Sequence, residues 1–278
     1  MLKQRIITAL VLLGVFLPAL FAPVALPFVV LTVLFIAAAG WEWVRLNGGG
    51  STPAIAFAVL LGSACALALG AGWVSRAPSS AWWLAMGVWV LRGAWLLKVG
   101  PAGWGLLPRS LRWGLGLLGL WLAWLAMADA RTIGVNFILS VFCLVWVSDI
   151  AAYFGGRTFG RRKLAVAISP GKSWEGVWGG MLGVLLLAAV WMAMDRHWTW
   201  DSPSLFTHVY LHQGLAGLVL VCIFLVAMGV VGDLVESLVK RHAGAKDSSG
   251  LLPGHGGVLD RVDALLPVFP LALALSSL

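Results

Sequence analysis

Nine apolar stretches follow one another along this chain, separated by short polar turns. They run approximately over 6–22, 27–45, 53–73, 81–98, 109–128, 133–154, 175–194, 213–239 and 258–277. Most come close to the ~20 residues that an α-helix needs to cross ~30 Å of hydrocarbon. Backbone polar groups in lipid must be satisfied within the spanning structure. The pattern therefore predicts an all-α, polytopic membrane protein of about nine transmembrane helices with a polar site facing the cytoplasm. Only a proline-punctuated turn, Ala22 to Pro27, separates the first two stretches, and a re-entrant pair is the alternative there. No repeat, low-complexity tract or soluble domain interrupts the series. Residues 1–278 read as a single integral membrane domain, 1–130 mainly hydrophobic scaffold and 131–278 the half that carries the chemistry.

Composition sharpens this picture. The chain is 61% hydrophobic and only 11% charged, against ~25% charged in globular domains, which excludes a water-soluble fold. Its net charge of +8 is distributed as a topological signal. With the N-terminus in the cytoplasm, inner segments hold Lys3, Arg5, Arg45, Lys98, Arg109, Arg112, Arg157, Arg161, Arg162, Lys163, Lys172, Lys240, Arg241 and Lys246, and outer loops hold only Arg76, Arg131 and Arg196. Positive residues favour the cytoplasmic side, so segments 155–174 and 240–257 belong there. The expected setting is a bacterial inner membrane, the expected surroundings lipid, and nucleic acid is excluded as a partner. Lys3 and Arg5 before an apolar run imitate a secretory signal, but Pro23 and Pro27 replace a small-residue cleavage site, and an uncleaved first span is expected. Trp41, Trp43, Trp104, Trp113, Trp198 and Trp200 lie near segment ends and read as an interfacial belt. Cys65, Cys143 and Cys222 are solitary in apolar runs and offer no zinc spacing.

Polar residues inside such a chain are expensive, and they concentrate in its second half. Asp149 lies within the sixth stretch, either hydrogen-bonded for helix packing or flooring a cytoplasmic cavity. Gly155 to Gly180 carries five cations, with Arg157 among them, and then Ser169-Pro170-Gly171-Lys172-Ser173 and Glu175. Glycine, cations and a helix start capped by Ser173 suit a phosphate-rich ligand; for Arg161 and Arg162, topology alone is an equal explanation. Asp233 shares a face with Ser237, whereas Glu236 pairs with Lys240 at i, i+4. Ser237 to Asp263 then gathers Lys240, Arg241, Lys246, Asp247, His255, Asp260, Arg261 and Asp263. Asp260 and Asp263 fall one turn apart and would repel unless compensated, and oxygen donors of this kind suit Mg²⁺ better than zinc. His197, His208 and His212 fall in an outer loop and have no comparable case.

Ser237-x-Val239-Lys240-Arg241, Lys246-Asp247 and His255-Gly256-Gly257-x-x-Asp260-Arg261-x-Asp263 together resemble the signature of the phosphatidate cytidylyltransferase (CDP-diacylglycerol synthase) family. Asp149, Tyr153, Gly156, Arg157 and Ser169-Pro170-Gly171-Lys172-Ser173-x-Glu175-Gly176 are similar to that family's other polar region. The likeness covers the C-terminal half; Ile150-Ala151 and Ser248-Ser249 depart from it. It implies that CTP and phosphatidic acid react to give CDP-diacylglycerol and pyrophosphate. By the same resemblance Asp233 and Asp260 are metal ligands, with Asp263 a third or outer one. They would bind Mg²⁺, with K⁺ as a neighbouring ion. Lys172, Lys240, Arg241 and Lys246 would bind phosphate, and His255 and Arg261 would steady the leaving pyrophosphate. Asp149, Arg157, Ser169, Ser173, Glu175 and Asp247 complete the substrate-binding set, and a homodimer is implied. The rival readings are a CTP-dependent lipid-alcohol kinase, a CDP-alcohol phosphotransferase and an ion-coupled transporter.

Overall fold

The computed structural model describes Leu2 to Leu278, apart from the side chains of Leu2, Lys3 and Arg5, so the topological role expected of those two cations lies outside the described residues. Each of the nine apolar stretches contains a helix. In order these are α1 (Leu2–Leu20), α2 (Leu26–Leu46), α3 (Ser51–Gly70), α4 (Ser79–Leu106), α5 (Arg109–Ile133), α6 (Val135–Phe159), α7 (Trp174–His197) and α8 (Leu205–His242), followed by the one-turn α9 (Leu259–Val262) and then α10 (Leu265–Ser276). Among the described residues, α2, α3, α5, α6, α7 and α8 are long and apolar enough to cross a membrane. Their outer faces confirm the solvent they are built for, since Leu34, Leu67, Leu182, Leu186 and Leu220 are all more than half exposed. The protein is a multi-pass membrane protein.

The ninth stretch differs from a simple span. It is divided between α9 and α10, and every residue of α10 from Leu265 to Ala274 is buried. A helix that is apolar all round belongs inside a bundle rather than at its surface, and α10 packs against α4, α5, α6 and α8. The eighth element begins earlier than its apolar run, because α8 bends at Gly214 and continues back to Leu205. His208 and His212 are therefore helical, not loop residues, and His208 Nε2 lies 2.8 Å from the Ser276 carbonyl. Between α1 and α2 the chain makes a short turn, fixed by Arg131, which donates to the carbonyls of Leu20 (3.0 Å) and Ala22 (2.6 Å). At the other end of α1, the Thr8 hydroxyl donates to Pro253 O at 2.9 Å. Thus α1 runs from one end of the bundle to the other, and the re-entrant alternative does not apply.

Two tryptophans expected in an interfacial belt are interior. Trp43 and Trp104 are 7% and 1% exposed, meet edge to face at 5.8 Å, and donate to Arg112 O (2.8 Å) and Asn47 Oδ1 (2.9 Å). A buried indole N–H needs a partner, and both have one. Trp198 and Trp200 are exposed at the end of α7, as a belt requires.

The tightest helix pair is α6 with α7, and its cause is in the sequence. Gly176, Gly179, Gly180 and Gly183 face Ser148, Ala151, Ala152 and Gly155. A Cβ on Gly179 would stand 3.0 Å from Ala151 O and 3.3 Å from the Gly155 Cα, and neither backbone can yield. Small residues let transmembrane backbones approach in this way. Gly179→Leu is expected to destabilise the protein by ~2 kcal/mol or more through overpacking. Gly87→Ala, where a Cβ meets nothing within 4 Å, should be neutral in the same thermal-unfolding measurement.

Candidate active site

The α6–α7 contact fixes a small antiparallel hairpin at one end of the bundle. Its strands are β1 (Lys163–Ala165) and β2 (Ser169–Ser173), with Lys163 opposite Ser173 and Ala165 opposite Ser169. Ser169 to Ser173, despite its proline and glycine, is a strand that runs directly into α7. Ser173 caps α7 as expected, its hydroxyl accepting from Gly176 N at 3.2 Å. Glu175 reaches back to accept from Arg162 N (3.1 and 3.2 Å), tying the hairpin to the first turn of α7. Arg241, at the end of α8, donates to Ile168 O (3.1 Å) and Ala245 O (3.3 Å) and braces the hairpin from the other side.

Lys172 is thereby carried across to α8, where its ammonium pairs with Asp233. The other oxygen of Asp233 accepts from Ser237 Oγ at 3.2 Å, the i, i+4 partner foreseen in the sequence. Asp263, whose Oδ1 accepts from Ala264 N (2.7 Å), feels the charges of Asp233, Lys172 and Asp149. Lys172 thus meets one carboxylate, Asp233 of α8, and the Asp263 backbone lies against the neighbouring Gly232.

Asp260, which the resemblance pairs with Asp233 as a metal ligand, has both carboxylate oxygens engaged in an adjoining network. Lys240 lies between Glu236 (2.5 Å) and Asp260 Oδ1 (2.6 Å), with its side chain 12% exposed. Asp260 Oδ2 accepts from Ser248 N (2.9 Å), Ser248 Oγ (3.0 Å) and Gly257 N (2.8 Å). Asp260 sits in the one-turn α9 outside the spanning helices; burial opposes its charge, but these donors and Lys240 hold its carboxyl down at about 2. Lys240, expected to bind phosphate, is instead enclosed by two carboxylates. Lys246 and Asp247 are exposed on the 243–257 loop. Arg157 stacks over Tyr153 and donates to its hydroxyl at 2.9 Å, and both are exposed. Arg261 donates to His255 O (3.2 and 2.6 Å).

The residue that sequence reasoning missed is Glu42, in the half read as scaffold. It is fully buried in α2. Its carboxylate accepts from Ser249 Oγ (2.6 Å), Ser248 Oγ (3.1 Å), Val258 N (2.9 Å) and Leu259 N (2.6 Å). The signal was available: a lone carboxylate inside the apolar stretch 27–45 demands a partner by the same cost argument that singled out Asp149. Ser248 and Ser249, departures from the resembled pattern, are two of its partners. Gly256 and Gly257 are needed beside it, since a Cβ there would stand 2.6 Å from Asp260 Oδ2 and 2.4 Å from Glu42 Oε1 respectively.

With this geometry in hand, the comparisons with known proteins are specific. The model of the Cytidylyltransferase family matches residues 3–278. The phosphatidate cytidylyltransferase of Pseudomonas aeruginosa is 42% identical over 282 residues, covering 99% of this chain and 97% of that protein. The chain belongs to the cytidylyltransferase family. Shorter alignments reach the phosphatidate cytidylyltransferases of Haemophilus influenzae, 45% identical over 137 residues (49% of this chain, 44% of that protein), and Bacillus subtilis, 40% identical over 137 residues (49% and 46%).

For this cytidylyltransferase the acidic donors at this end, Asp233 and Asp263 among them, are all oxygens. A hard divalent ion such as Mg²⁺ fits, because it takes one or two carboxylates and leaves its other positions to water and substrate phosphate. The protein alone supplies no complete cage: among the described residues no three His, Cys, Asp or Glu groups come together closely enough to hold a metal.

Proposed function

We propose that this enzyme transfers the cytidylyl group of CTP to phosphatidic acid, giving CDP-diacylglycerol and pyrophosphate. The observation that carries the reading is Lys172 paired with Asp233 beside Asp149 and Asp263 at one end of a lipid-embedded bundle. A phosphate oxygen of the lipid attacks the α-phosphorus of CTP in line, and the bond to the bridging oxygen of the β-phosphate breaks, its electron pair leaving with pyrophosphate. The lipid brings its own anionic nucleophile, so the protein has to position two polyanions and offset their charge. Lys172 serves that purpose from the hairpin. Lys246, exposed on the loop, and Arg241 beside it suit the triphosphate. Asp233 and Asp263 would hold Mg²⁺, which when bound neutralises charge on the transferring phosphoryl group. Asp260, with Lys240, keeps the 248–257 loop in register. The basic residues of this end support its facing the cytoplasm, where CTP is dissolved. A transporter would place its carboxylates at mid-membrane; here they gather at one end.

Purified protein in mixed micelles with CTP, phosphatidic acid and Mg²⁺ is expected to form CDP-diacylglycerol and pyrophosphate in equal amounts, and chelation of the metal to stop it. Appearance of CDP and a phosphorylated lipid would transfer the assignment to a kinase, and CMP to a phosphotransferase. Asp260→Asn should lower kcat by about 100-fold or more with the fold retained; equal turnover would remove Asp260 from the machinery.

A further inference from the structure

On the opposite side of α9 from Asp260 and Asp263, an open groove of about 420 Å³ runs between α1, α2 and α6. Its walls are hydrocarbon and aromatic, with Leu12, Phe16, Phe35, Phe142, Trp146 and Leu265 prominent. Phe142 organises the floor, meeting Phe16 edge to face at 5.3 Å and Phe269 at 5.0 Å and stacking on Trp146 at 5.5 Å. Thr32 also lines it, but its hydroxyl is committed to Phe28 O and Val29 O of its own helix, so it offers the groove no polar demand.

Polar groups appear only at the end near α9. Arg261 and His255 line the mouth. Arg261 has no carboxylate partner among the described residues, its guanidinium donating to a single carbonyl. His255 Nδ1 is buried there without a hydrogen-bond partner. Along α6 the groove is lined by Phe142 and Trp146, and Asp149 follows one turn later on the same helical face.

An apolar trough that ends in an unpaired cation and an unsatisfied ring nitrogen, one helical turn below the site, matches a phospholipid with a single phosphate. We propose that this groove takes an acyl chain of the diacylglycerol phosphate substrate, with Arg261 and His255 meeting its phosphate–glycerol end rather than the leaving pyrophosphate. The proposal rests on the reaction assigned above and adds where the lipid lies. Entry is sideways, past α1, which is tied to the loop by the Thr8–Pro253 hydrogen bond.

Ala9 lines the groove on α1, away from the charged machinery. In mixed micelles, Ala9→Trp is expected to lower kcat/KM for dioleoyl phosphatidic acid by about tenfold. Turnover of the dihexanoyl lipid should stay within about twofold and the KM for CTP should not move. Retained dihexanoyl turnover also reports that the variant folds; Leu12→Phe is a milder second filling. A phosphatidic acid with a diazirine at the acyl end should label α1 or the Phe35–Ile36 stretch of α2, and the filled variants should lose that label. Equal loss with both lipids, no loss with either, or labelling confined to other helices would overturn the groove. If the native protein formed no CDP-diacylglycerol and yet the groove were labelled and blocked by Ala9→Trp, the reaction would be wrong while the groove stood as a phospholipid site. A label competed equally by phosphatidylglycerol would reject selectivity for the substrate.

Discussion

Glu42→Ala is expected to reduce turnover with CTP by about 100-fold or more while leaving the helical bundle assembled. Four donors converge on this carboxylate from the loop and the start of α9. Hydrogen bonds to a charged group contribute ~1.5–3 kcal/mol each, and the loss of two of them is enough for the stated effect at ~1.4 kcal/mol per tenfold. Alanine leaves Val258 N and Leu259 N buried and unpaired, so the segment that carries Gly257 and Asp260 must shift to find other partners. Glu42→Gln retains one accepting oxygen and should fall between the two. The check is kinetic and structural together: limited proteolysis in the 243–257 loop should quicken in proportion to the lost turnover. A Glu42→Ala protein with normal kinetics and an equally resistant loop would show that the register is set elsewhere.

Lys172→Met is expected to cost about 1,000-fold in kcat, near the upper end for loss of one preorganised charge from an active site. The reason is that Lys172 is the cation paired with Asp233, brought across to α8 by the hairpin. Removing it should also lower thermal stability, since breaking a partly buried pair leaves its other charge uncompensated. The double variant Lys172→Met, Asp233→Asn separates the two effects. It should regain stability, because the orphaned carboxylate is gone, and stay inactive, because the phosphate-facing charge and a carboxylate proposed to hold Mg²⁺ are both missing. Thermal unfolding and turnover measured on all four proteins form the cycle. A Lys172→Met enzyme within about threefold of the native kcat would remove this lysine from the chemistry, and parallel recovery of stability and activity in the double variant would remove Asp233 from it as well.

Both predictions concern residues whose partners are distant in sequence, and that is where reading the chain reached its limit. The apolar runs located every helix, since a membrane solvent imposes length and composition on each span independently. The i, i+4 pairs Asp233–Ser237 and Glu236–Lys240 were legible because helical geometry alone brings them together. Small residues on α6 and α7 were visible as glycines, but their mutual fit emerged only when the two backbones were brought into contact.

Hydropathy by itself determined that this is an all-helical protein of the membrane, and clustered charge singled out one half of it as the place to look for chemistry. Tertiary structure decided that Lys240 is enclosed rather than free, that α10 is the bundle's interior, and that Glu42 of the supposed scaffold holds the loop before α9. Local periodicity follows from the backbone and the solvent, which act on each segment separately. The pairing of a buried carboxylate with donors some two hundred residues away depends on how all the segments pack, and no single stretch of sequence carries that information.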